Sequence, residues 1–129
     1  MKRSATMAAL VPVVMVLSAC SSGATEADAC NGVAEAMPAV ARALANMGDA
    51  RTADDAEVYL EGVHSAADAV AAVDGPAEFV GVRDDFVDAL EAFGVKGVAV
   101  AAGEARFAQE QAELAVALAA VERYCPGTR

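Results

Sequence analysis

The sequence predicts an all-α protein, an antiparallel four-helix bundle of up-down-up-down topology closed at one end by a disulfide. Three observations predict it. From Asp28 onward the apolar residues recur at steps of three and four, and almost none alternate with the period of two that a half-buried strand requires. Glycine, proline and aspartate gather at three places and cut the chain into four such stretches. The links between stretches are short, which favours antiparallel neighbours.

The first helix is expected from Asp28, a capping residue type, to Met47, with Val33, Met37, Val40, Leu44 and Met47 on one stripe. Pro38 interrupts it. An interior proline removes one hydrogen bond and crowds the preceding turn, so a kink or a restart near Met37 is expected. Gly48-Asp49 ends this helix.

Thr52-Ala53-Asp54-Asp55 resembles a capping box with Asp in place of the usual Glu, and opens the second helix. Its stripe is Tyr59, Val63, Ala66, Val70 and Val73, and Asp74-Gly75-Pro76 provides a stop and a start, with Pro76 suited to a first helical position. The third helix carries the strongest stripe in the chain, Phe79, Val82, Phe86, Leu90 and Phe93, and Gly94 is expected to close it. The fourth begins between Gly97 and Gly103 and runs to Tyr124, with Val100, Phe107, Leu114, Leu118, Val121 and Cys125 on one face before Pro126-Gly127. Frequent alanine lets the helices approach closely, and Phe79, Phe86, Phe93 and Phe107 supply bulk.

Ahead of these helices stands a segment of another kind. Met1-Lys2-Arg3 is a short positive stretch, and Met7 to Leu17 is an apolar run of eleven residues, too short to span a bilayer as a stable helix. Leu17-Ser18-Ala19-Cys20 follows and resembles the lipobox of bacterial prolipoproteins at all four positions. The resemblance implies that Cys20 receives a diacylglyceryl group on its thiol and that the signal peptidase cuts on its amino side. It covers residues 1 to about 23 and speaks only to processing; residues 28–129 resemble no family.

The chain then divides into a lipoprotein signal peptide, 1–19, a lipid-bearing polar tether, 20–27, and a helical bundle domain, 28–129. Fully extended, eight tether residues reach about 28 Å, so the domain would ride close to the membrane. Loss of Lys2 and Arg3 leaves seven basic residues against nineteen acidic ones, a net charge near −12. That charge repels phosphate backbones and anionic headgroups alike, which makes nucleic acid a poor partner and leaves the lipid on Cys20 to hold the membrane. The absence of Ile and the rarity of Lys, found only at positions 2 and 96, read as high-GC coding.

With Cys20 taken by lipid, Cys30 and Cys125 remain as an even pair in an exported chain. A bridge between them closes a loop of 96 residues counted inclusively and adds up to about 4–5 kcal/mol on the chain-entropy model. Two free thiols or half of a metal site are the alternatives, and no Cys-x-x-Cys or neighbouring His supports zinc. In an up-down-up-down bundle both cysteines fall at the membrane-proximal end. Cys30 lies about 60° from the centre of its stripe, and Cys125 lies on its own.

A search for chemistry finds fragments. His64 is the sole histidine, and Glu61-Gly62-Val63-His64 has the Glu-x-x-His spacing of carboxylate metal sites in bundles. Glu57 and Asp68 extend it at steps of four. With Tyr59 at 0°, the apolar stripe spans about −40° to +40° and these four residues fall at roughly 140–200°, on the far side of the helix. A di-metal core needs its ligands inside and a second Glu-x-x-His, which the chain lacks. Asp84, Asp85, Asp88 and Glu91 repeat the pattern on the third helix, again away from the phenylalanines, and form no calcium loop. Both sets read as solvated acidic faces, with no metal and no cofactor assigned. Arg83 and Gln111 lie near apolar stripes as boundary residues. Ser65 adjoins His64 on one helix, where neighbouring side chains do not face each other, and no phosphate loop occurs. An enzyme is therefore not expected. The expected function is a membrane-anchored cell-envelope lipoprotein, lipid-held on the extracytoplasmic face, acting as a non-enzymatic module for an envelope protein partner. The alternative is a ligand- or divalent-cation-binding envelope lipoprotein.

Overall fold

The computed structural model describes residues 23–103, 106 and 108–127. These form four helices and no strand: α1 (Glu26–Asp49), α2 (Ala53–Ala71), α3 (Ala77–Ala101) and α4 (Ala108–Tyr124). The segment expected to be a signal peptide, residues 1–19, lies outside the described residues, as do Cys20 and Phe107.

The N-cap of α1 lies three residues before the expected one. Thr25, not Asp28, is the N-cap: its hydroxyl accepts from the Asp28 N–H at 3.2 Å, while the Asp28 carboxylate accepts from the Thr25 N–H at 3.0 Å. This reciprocal capping box satisfies two donors that a helix start leaves open, and it draws Glu26 and Ala27 out of the polar stretch into the helix. The helix runs unbroken through Pro38. Pro38 has no N–H for the Ala34 carbonyl, but both residues are exposed, so the missing bond leaves no buried acceptor open.

Thr52 caps α2 as expected, accepting from the Asp55 N–H at 3.1 Å. Pro76 occupies the cap position of α3 and not its first helical turn. The larger departure is at the other end of α3. Gly94 and Gly97 do not stop it; both are buried within it, and the helix continues to Ala101. The stop is Gly103, which takes a left-handed φ of +76° that a Cβ would strain. Val100 therefore belongs to α3, and α4 starts only at Ala108.

The core is one cluster. Phe79, Phe86 and Leu90 of α3 are enclosed by Val33, Val40 and Met47 of α1, Val63 and Val70 of α2, and Leu114 and Val121 of α4. Each fully buried large side chain stabilises the fold by about 1.5–3 kcal/mol. Alanines complete the packing, Ala29, Ala36 and Ala43 on α1 and Ala56, Ala66 and Ala67 on α2. α3 sits centrally, packed on α2 and α4. Phe79 at its start packs against Tyr124 at the end of α4, with ring centroids 5.5 Å apart and the rings tilted at 47°. Gly97 near its end lies against Met47 at the end of α1. α1 and α4 are joined by Cys30 and Cys125, with an S–S distance of 2.01 Å and Cα atoms 5.3 Å apart.

Candidate functional site

Of the two acidic faces, the structure keeps most members apart. Glu57, Glu61 and Asp68 of α2 and Asp84, Asp85 and Asp88 of α3 are exposed. Two residues expected to face solvent are instead brought together: His64 Nδ1 bonds Glu91 Oε2 across the α2–α3 seam. The physical reason is the width of the buried face of α2. It includes Ala56 and Ala67, which lie on the side of the helix toward His64, so the true centre of the stripe is displaced about 40° and His64 sits at its edge. Among the described residues no three His, Cys, Asp or Glu side chains are grouped to hold a metal ion.

Arg83 is half-buried and hydrogen-bonded. Its Nη1 donates to the Val73 carbonyl at 2.9 Å, and its Nε and Nη2 reach Asp84 Oδ1 at 3.0 and 2.9 Å. A cation thus serves a carbonyl just past the C-terminus of α2, where the helix leaves acceptors open and its dipole is negative. Gln111, expected at a stripe's edge, is exposed.

Near the disulfide, two groups shift. Thr25 holds the Asp28 carboxyl below its ordinary value, chiefly through its backbone N–H and then through its hydroxyl. The Tyr124 phenol is pushed up from 10.0 by desolvation against its neighbours, with Glu26 and Glu78 adding negative potential. Neither arrangement offers a nucleophile beside a base.

The feature not anticipated in the sequence is a groove along the outer face of α3 and α4. Ala89 and Ala92 of α3 and Ala112, Val116, Ala117 and Ala120 of α4 line a cavity of about 630 Å³. A second cavity of about 510 Å³ shares Ala92 and continues along Val95 and Ala99. Val95 and Val116 are 60% and 68% exposed. A signal for them was present. Val95 stands about 180° from Phe86 on α3, and Val116 about 160° from Leu114 on α4, so each is a branched apolar residue opposite its helix's core stripe.

No family model, no curated protein and no solved structure matches the chain. Among the described residues no helix is long and apolar enough to cross a membrane.

Proposed function

We propose that the chain is the precursor of a cell-envelope lipoprotein, cut before Cys20 and held by lipid on the extracytoplasmic face of the membrane. Its domain is an up-down-up-down antiparallel bundle that acts as a non-enzymatic protein-interaction module. The observation that carries the reading is the division of labour among the three cysteines. Cys20 completes the lipobox, and the other two are joined as Cys30–Cys125, a bond that belongs to an oxidising, exported setting. The bundle order is supported by what gathers at each end. The start of α1, the start of α3 and the end of α4 meet through Cys30, Phe79, Tyr124 and Cys125, while Met47 and Gly97 meet at the opposite end.

With α1 starting at Glu26, only Ser21 to Thr25 separate Cys20 from the first helical residue. That stretch reaches about 20 Å when fully extended, shorter than the sequence pattern implied, and it holds the disulfide end toward the bilayer. Five residues give little freedom to search for distant substrates. They suit docking on a neighbour at the same surface.

The test is an in-cell cross-link and affinity capture of the tagged full-length protein from washed membranes, with Cys20→Ala as the control and labelling by a palmitate analogue. Label on the wild type alone, and one stoichiometric partner whose capture depends on Cys20, is the expected result. An unlabelled protein in the soluble fraction would overturn the lipoprotein reading, and capture of abundant bystanders alone would overturn the docking reading.

A further inference from the structure

We propose that the α3–α4 groove is a docking site for a basic amphipathic helix of a partner protein. This rests on the interaction-module reading and names its surface and the chemistry of its partner.

The floor of the groove is built for a helix. Ala89, Ala92, Ala112, Ala117 and Ala120 present only methyl groups, so a third backbone can approach to the close end of the usual 8–10 Å helix spacing. From Asp85 to Ala99 the lined face of α3 spans about 21 Å, the length of about fourteen helical residues. Among the described residues Val95 and Val116 are the only large apolar side chains lining this floor, each well over half exposed. A third residue of that kind, Val58, lies on α2, away from the groove.

The rim chooses the occupant. Asp85, Asp88 and Glu91 stand along α3, and Glu110 and Glu113 along α4, with Lys96 as the one cation among the described residues of the lining. Two of these carboxylates are hydrogen-bonded, Glu91 to His64 and Glu113 to Gln109 Nε2 at 3.0 Å. A second copy of this chain would bring acids against acids, at a net charge of −10 per full-length chain. Anionic headgroups are repelled for the same reason. A helix with small apolar residues on one face and Lys or Arg on both flanks meets floor and rim together, the helix-in-groove mode of recognition.

The experiment uses the lipid-bearing protein in phosphatidylcholine nanodiscs, with empty nanodiscs subtracted. The probes are two capped eighteen-residue helical peptides with the same Ala/Leu face, one with Lys/Arg flanks and one with Glu flanks. Fluorescence anisotropy is expected to show binding of the basic peptide only. Val116→Asp and Val95→Asp weaken it about tenfold or more, and Val58→Asp leaves it unchanged. Asp85→Asn, Asp88→Asn and Glu113→Gln together weaken it, whereas Glu57→Gln, Glu61→Gln and Asp68→Asn, the same change in charge on α2, do not. Circular dichroism and Val116→Ser guard against a variant that fails to fold. Equal loss from both charge sets, or indifference to Val116→Asp and Val116→Ser, would overturn the groove. A photo-cross-linker separates this from the broader reading. Capture of an envelope protein from position 58 but not 116 overturns the groove and leaves docking intact, while capture from 116 supports both.

Discussion

Gly94 of α3 lies directly against Val63 of α2. A Cβ at position 94 would stand 2.9 Å from Val63 Cγ1 and 2.8 Å from Leu60 Cδ1, closer than side-chain atoms normally come. Val63 is fully buried and stiff about its first torsion, so it has nowhere to go. We expect Gly94→Ala to destabilise the protein by about 1–3 kcal/mol, against a helix-propensity gain of up to about 1 kcal/mol. Gly62→Ala is the counter-case. Gly62 is exposed within α2 and an added Cβ meets nothing within 4 Å, so that substitution should stabilise by up to about 1 kcal/mol. Urea unfolding of both variants checks the contrast. A stabilising Gly94→Ala would mean that α2 and α3 are not in contact there.

The same glycines explain what the sequence could and could not disclose. The Phe79–Phe86–Phe93 stripe, the Val33–Val40–Met47 stripe and the Thr52 cap were legible because periodicity and cap chemistry are local. A glycine is ambiguous: it either ends a helix or admits a neighbour, and only the tertiary partner decides. Met47 decides it at Gly97, since a Cβ there would stand 2.5 Å from its Sδ, whereas Gly103 truly turns the chain. The His64–Glu91 pair was hidden because a wheel built from Tyr59, Val63, Ala66, Val70 and Val73 leaves out the buried Ala56 and Ala67. The groove was hidden for a related reason, since alanine reads as neutral filler until its neighbours are known.

The His64–Glu91 pair bridges two helices but is 45% and 35% exposed on its two sides. Exposure leaves it screened by water and ions. We expect His64→Ala and Glu91→Gln each to change stability by only about 0.2–1 kcal/mol, and the pair's coupling in a double-mutant cycle to shrink at high salt. Coupling of several kcal/mol, insensitive to salt, would show the pair to be far better shielded than its exposure implies.

Cys30 and Cys125 stand 95 positions apart in sequence, so their bond constrains nearly the whole described chain. Replacing both with Ser is expected to cost about 2–5 kcal/mol. Because α1 and α4 are tied at one end, hydrogen exchange should accelerate first near Ala29 and Val121 and last around Phe86 and Leu90. Identical midpoints for the oxidised and reduced proteins in denaturant would contradict the role assigned to the bond.

Stability should decline at both extremes of pH, with a contribution to each from the disulfide end. The Asp28 carboxyl is held below 3.8 by Thr25, so its contribution is complete above that value and lost as pH falls through the lower folded value. Tyr124 is raised above 10.0, so folding favours its neutral form. That contribution is complete below 10.0 and lost as pH rises through the folded value. Thr25→Ala should cost about 0.5–2 kcal/mol near neutrality but only soften the acid limb, because it removes the hydroxyl and keeps the backbone N–H that chiefly lowers Asp28. Tyr124→Phe keeps a ring against Phe79 but removes the ionisable oxygen, and should flatten only the alkaline limb. Thermal unfolding from pH 2 to 11 reads both. If Tyr124→Phe leaves the alkaline limb as steep as before, the group that ionises there is not Tyr124, and neither the desolvation of its phenol nor the nearby Glu26 and Glu78 govern that limb.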